Sequence, residues 1–176
     1  MLPIDEKYRI FAVNTSTNDI HDENDGFFMY ATNRATLPML DYYKAACRDL
    51  GCGEGHIQSI EILEESIRLL SKGIIPGGIV VIDRKFRFLA VSVQSDRIGD
   101  EKNGIFFSAA DKAILPALRA MNADRDRLGF TSEWTDKNTT LIDRIEAFQL
   151  QGRSKIPDTS VSIETKQGLE VAEILG

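Results

Sequence analysis

Cys47, Cys52 and His56 form a Cys-x4-Cys-x3-His group, where thiols and an imidazole could bind a metal or act as nucleophile and base. Structural zinc sites take four ligands and closer cysteine spacing, and His21 is the one other histidine, so the group falls short of a metal centre. A Cys52 thiol beside His56 could ionise and attack a substrate; a plain free thiol is the simpler expectation. The glycine-rich run 51–56 could present amide N–H groups to an anion at a helix start. Phosphate-binding glycines follow a strand, however, and these follow a predicted helix, so the run reads as a helix–helix connector.

A second chemical feature occurs twice. Ile-x-Asp-Glu-x-x-Gly stands at 20–26 and again at 98–104, giving Asp22-Glu23 and Asp100-Glu101. Two acidic patches of this kind could bind a basic protein or a cation. Alternatively, the aspartates accept backbone N–H bonds in a strand-to-strand loop, while Gly26 and Gly104 supply a permissive conformation. Calcium-loop spacing is absent. Tyr30, Tyr42, Tyr43 and Trp134 could line a pocket, and Tyr42-Tyr43 stand where the matching stretch has Ala120-Met121. The candidate binding residues are therefore Asp22, Glu23, Asp100, Glu101, Tyr42 and Tyr43. With two histidines, no Ser/His/Asp set can be assembled, and the 27 acidic residues are too dispersed to nominate a carboxylate pair. No catalytic residue, metal or cofactor is assigned.

The elements that must hold these residues come from an internal repeat. Residues 7–51 superpose without a gap on residues 85–129, an offset of 78, and seventeen of the 45 pairs are identical. Unrelated segments of average composition would match at roughly one position in sixteen, or about three. This predicts an α+β (mixed α/β) fold made by tandem duplication of a β-β-β-α-α unit with pseudo-twofold symmetry. Strands are expected at 8–15 and 86–94, then at 27–32 and 105–110. Helices follow, capped by Asn33 and Asp111, with Pro38 and Pro116 in the first turn and left-handed glycines at Gly51 and Gly129. Further helices are expected over 57–71 and 138–149, each stopping near Gly73 or Gly152.

An Ile-Pro pair recurs at 75–76 and 156–157, each leading toward a strand, at 78–83 and 160–165. The first of these predicts a hairpin with 86–94 through a turn at Asp83-Arg84-Lys85. The second is expected to pair with 8–15 and close the first unit, or to be swapped into a neighbouring chain. The chain then reads as one pseudo-symmetric domain, with repeat one at 7–73 plus strand 160–165 and repeat two at 78–152. Pairing should be largely antiparallel within each unit, with helices covering the sheet.

Composition bounds the function. At 43% hydrophobic and 27% charged, the chain has the make-up of a folded globular protein. A net charge of −6 argues against nucleic acid, and the longest apolar runs are strand-sized, against a membrane span. No signal-peptide pattern opens the sequence, which with two cysteines suggests the cytoplasm. The leading expectation is a small acidic protein that binds another protein, a basic one suiting its charge, as an inhibitor, toxin-immunity protein or adaptor. One alternative is an enzyme or ligand-binding protein with its site in the groove between the repeats; another is a homo-oligomeric structural protein. A deep cleft lined by Tyr, Arg and acidic side chains would favour the small molecule; a flat apolar patch would favour a protein.

Overall fold

A computed structural model describes residues 2–74 and 81–157. Among these residues the fold is mixed α+β, with antiparallel sheets and five α-helices. The first half runs β1 (Tyr8–Asn14), β2 (Ile20–Asp22), β3 (Gly26–Tyr30), α1 (Thr36–Asp49) and α2 (Glu54–Ser71). The second half runs β4 (Phe86–Ser92), β5 (Ile98–Asp100), β6 (Gly104–Ser108), α3 (Ile114–Ala123), α4 (Arg125–Leu128) and α5 (Ser132–Phe148), closing on a π turn over Gln149–Arg153.

Strand period explains the layers. In β1, Ile10 and Ala12 are buried while Arg9 and Phe11 face out, and in β4, Phe86, Phe88 and Ala90 are buried while Arg87 and Leu89 face out. These strands form the centre of a four-stranded sheet in the order β2-β1-β4-β5, and β3 and β6 form a separate two-stranded ribbon. The ribbon is buried on both sides. Phe28 and Phe106 meet Phe86 and Phe88 of the sheet, whereas Phe27, Ile105 and Phe107 enter a larger core with the helices. Four-stranded sheet, ribbon and helices are thus three successive layers.

The longer strands pair between the halves, where pairing within each unit was expected, while the short β2 and β5 pair within their own halves with β1 and β4. β1 lies antiparallel to β4 with Phe11 opposite Leu89, and β3 lies antiparallel to β6 with Phe28 opposite Phe106. In both cases the partner is the residue 78 positions on. Each glycine at the head of the ribbon makes room for the opposite ring. A Cβ on Gly26 would lie 2.1 Å from Phe106 Cζ, and one on Gly104 would lie 2.1 Å from Phe28 Cε2. Neither has a positive φ, so close approach and not backbone freedom is what requires glycine there.

Other expectations change for physical reasons. Residues 81–83 are irregular and form no hairpin with β4. The Ile82 and Asp83 amides instead donate to the Glu101 carbonyl, and both edges of β4 are taken by β1 and β5. The proposed strand at 160–165, like the Ile-Pro pair at 75–76 and residues 78–80, lies outside the described residues. β1 has β4 along one edge and β2 on the other. The acidic loop contributes β2 and β5, which were expected to be loop. Asn33 and Asp111 form Asx turns ahead of the helices, accepting from the Ala35 and Ala113 amides, and do not cap them. Gly51, Gly73, Gly129 and Gly152 do take left-handed φ values at the helix ends. No helix among the described residues is long and apolar enough to cross a membrane.

Candidate functional site

Two pockets flank the ribbon, and they are lined by matching positions. The larger, about 360 Å³, lies between α1, α2, β6 and the chain at 82–86. The smaller, about 290 Å³, has Ile4–Lys7, β3, α3 and α5 around it. Shifting by 78 carries Ile82, Asp83, Arg84 and Lys85 onto Ile4, Asp5, Glu6 and Lys7, and carries Leu40, Tyr43, His56 and Leu63 onto Leu118, Met121, Trp134 and Leu141. The frame is held alike on both sides. Asp83 accepts from the Lys85, Phe86 and Phe106 amides at 2.9–3.0 Å, and Asp5 accepts from those of Lys7 and Phe28 at 2.9–3.0 Å. Each carboxylate thereby ties one strand of the ribbon to the sheet.

The polar equipment differs between the two pockets. In the larger, the Tyr43 hydroxyl donates to Asp111 Oδ2 at 2.5 Å, and His56 Nε2 stands 3.1 Å from the same phenol oxygen. The single phenolic proton goes to Asp111, so the oxygen is left to accept and His56 Nε2 carries the proton facing it. In the smaller pocket the three corresponding residues are Met121, Trp134 and Asn33, which can form no such chain. Burial pushes the Asp111 carboxyl above its usual range despite the Tyr43 bond and the nearby Lys85 charge. The Tyr43 phenol is driven well up, by burial first and then by the Asp111 charge.

Arg84, Lys85 and Lys155 line the larger pocket with Asp83 and Asp111, and Lys7, Lys137 and Arg144 line the smaller with Asp5 and Glu6, so the two differ in where the charges sit and not in their balance. Arg84 is half-buried, and burial alone lowers its guanidinium from the ordinary value. The matching position in the smaller pocket is Glu6, paired with Arg144. The rest of the larger lining is mostly apolar: Leu40, Ile60, Leu63, Ile105, Phe106 and Phe107. An apolar cavity of 300–1,000 Å³ with a few convergent polar groups is the usual form of a small-molecule site.

The sequence candidates are dispersed by this geometry. Tyr43 enters the pocket, whereas Tyr42 points away on α1, bonded to Asp124 and accepting from Arg127 at 2.8 Å. Glu23 Oε2 accepts from the Ile10 amide and Glu101 Oε2 from that of Phe88, while Asp22 and Asp100 accept from the Asn24 and Lys102 amides of their own loops. Cys47 is buried and Cys52 partly so, and burial raises both thiols, so neither is poised as a nucleophile. Among the described residues no group of three or more His, Cys, Asp or Glu side chains is placed to hold a metal ion. Asp111, Arg84 and Lys85 escaped the sequence reading because nothing in their local pattern separates them from other charged residues. The signal available was asymmetry between the halves, which already set Tyr43 and His56 apart.

No family model, curated protein or solved structure matches the chain.

Proposed function

We propose that the protein binds a small organic anion with an apolar body in the pocket between α1, α2 and β6. One observation carries this reading: of two pockets built on matching positions, one has Tyr43, His56, Asp111 and Arg84 where the other has Met121, Trp134, Asn33 and Glu6. A shared frame explains why both cavities exist. It does not explain why one of them holds a buried Asp–Tyr–His chain. In this reading the anionic group meets Arg84 and Lys85, the apolar body lies on Phe106, Phe107 and Ile60, and the Tyr43–His56 pair fixes orientation. The same correspondence supports a duplicated unit with a pseudo-twofold axis through the Phe11–Leu89 and Phe28–Phe106 pairs.

The probe 8-anilinonaphthalene-1-sulfonate has the required chemistry, an aromatic body and a sulfonate. Titrated into the native chain at pH 7, its fluorescence should saturate at one site. Arg84→Glu should weaken binding at least tenfold, and Glu6→Gln at the matching position should leave it unchanged. Non-saturable fluorescence, or equal affinity in Arg84→Glu, would count against the reading. A second reading, binding of another protein, is favoured by the exposed apolar residues Phe11, Ile20, Leu89 and Ile98 on the four-stranded sheet.

A further inference from the structure

Among the described residues no helix layer covers the outer face of the four-stranded sheet, and its register fixes what it presents. Across the strands the middle row reads Asp22, Phe11, Leu89, Asp100. Ile20, Val13 and Arg87 stand on one side of that row, and Arg9, Val91 and Ile98 on the other. Phe11 is 58% exposed, Leu89 48%, Ile20 66% and Ile98 53%. The Arg9 and Arg87 side chains are 72% and 80% exposed, with Glu23 and Glu101 as their ion-pair partners. With the two glutamates counted, two arginines, two aspartates and two glutamates give this face a charge of −2, and each arginine already has one carboxylate beside it.

We infer that this face docks a second copy of the chain, sheet against sheet with the strands crossing steeply. The strand spacing of about 4.8 Å and rise of about 3.3 Å per residue put Arg9, Arg87, Asp22 and Asp100 all about 7 Å from the point between Phe11 and Leu89. On the same dimensions the line joining the arginines lies about 70° from the line joining the aspartates. A copy laid face to face with its strands crossing at about 70°, near the orthogonal class of sheet packing, sets every arginine over an aspartate of the other copy. That orientation also brings Ile20 over Val91 and Val13 over Ile98, so charge and apolar patterns agree on one arrangement. Two seven-residue and two three-residue strands at that spacing and rise cover about 320 Å² per copy, against about 800 Å² in a standard stable interface. The dimer is therefore weak, forming at high micromolar concentrations, and salt-sensitive.

Sedimentation velocity on the full chain from 5 µM to 1 mM tests this. The expected result is a monomer–dimer equilibrium that 500 mM salt weakens at least threefold. Arg9→Asp with Arg87→Asp should abolish the dimer, as should Asp22→Arg with Asp100→Arg. Mixing the two double variants should restore association to within about threefold of the parent. Phe11→Ser, which leaves the charges in place, should abolish it independently if a charge variant fails to fold. A chain that stays monomeric to 1 mM, a dimer indifferent to these changes, or a mixture that fails to associate while both variants remain folded would each overturn the inference.

Discussion

Exchanging Asp83 for asparagine separates two opposing forces on one buried carboxylate. Three backbone amides donate to it, which favours the charged form, while complete burial favours the neutral one. Burial dominates, and the carboxyl is pushed up to about 6 from 3.8. The folded chain therefore holds this proton more tightly than the unfolded chain. The group's contribution to stability is fully present below pH 3.8 and is lost as pH rises through about 6. Linkage over that window gives a loss of about 2 kcal/mol between pH 4.5 and pH 7.5. Asparagine has no such titration, and its amide group would face the Phe106 N–H, leaving a buried donor unpaired at a cost of about 1–3 kcal/mol. Urea melts of parent and variant at the two pH values read both effects, and subtracting one curve from the other cancels the remaining titrating groups. The parent's advantage over Asp83→Asn should be larger at pH 4.5 than at pH 7.5 by about 2 kcal/mol, roughly a 1 M difference in midpoint for an m-value near 2 kcal/mol/M. A gap that is equal at both pH values, or larger at pH 7.5, would mean that the three amides outweigh burial, and the reasoning would fail.

Gly104→Ala forces a Cβ to within 2.1 Å of Phe28 and 2.7 Å of the Met29 carbonyl, so the ribbon must shift. A destabilisation of about 1–3 kcal/mol is expected, read as a lowered melting temperature, and an unchanged one would show that the Phe28 ring has room to move. Tyr43→Phe removes the hydroxyl between His56 and Asp111 and should cost about 1–3 kcal/mol, whereas Met121→Leu at the matching position should cost less than about 1.5 kcal/mol. Equal losses in chemical denaturation would contradict the asymmetry between the pockets.

The fold was legible where the sequence pattern is local. Alternation in β1 and β4, the helix-ending glycines Gly51 and Gly129, and prolines in the first turns of α1 and α3 all read directly from residue type. Pairing was not legible, because an antiparallel match of 8–14 with 86–92 leaves no short turn to announce it, and the inviting Asp83-Arg84-Lys85 turn suggested a hairpin instead. What the turn residues conceal is a side chain directed inward: Asp83 serves the Phe106 amide, which lies 23 residues on. The site was legible only in part. Tyr43 and His56 stood out as residues present in one half alone, but Asp111 reaches Tyr43 across 68 residues of sequence, and only the packing of α1 against the turn before α3 brings them together. The acidic pair repeated in both halves drew attention for the opposite reason, and in the structure its aspartates bond amides of their own loops while its glutamates bond amides of β1 and β4.

The exchange of strands between the halves also sets a timetable for synthesis. When residue 74 has been added, β1 has only the three-residue β2 beside it and β3 has no partner at all, because β4 and β6 are not yet made. The aromatic strand Gly26–Tyr30 must wait until residue 108 has been added, 34 residues later. At ribosomal rates of about 5–20 residues per second, that is roughly 2–7 seconds during which Phe27 and Phe28 lack their final cover. The first half made alone lacks the strands that pair with β1 and β3 in the finished fold.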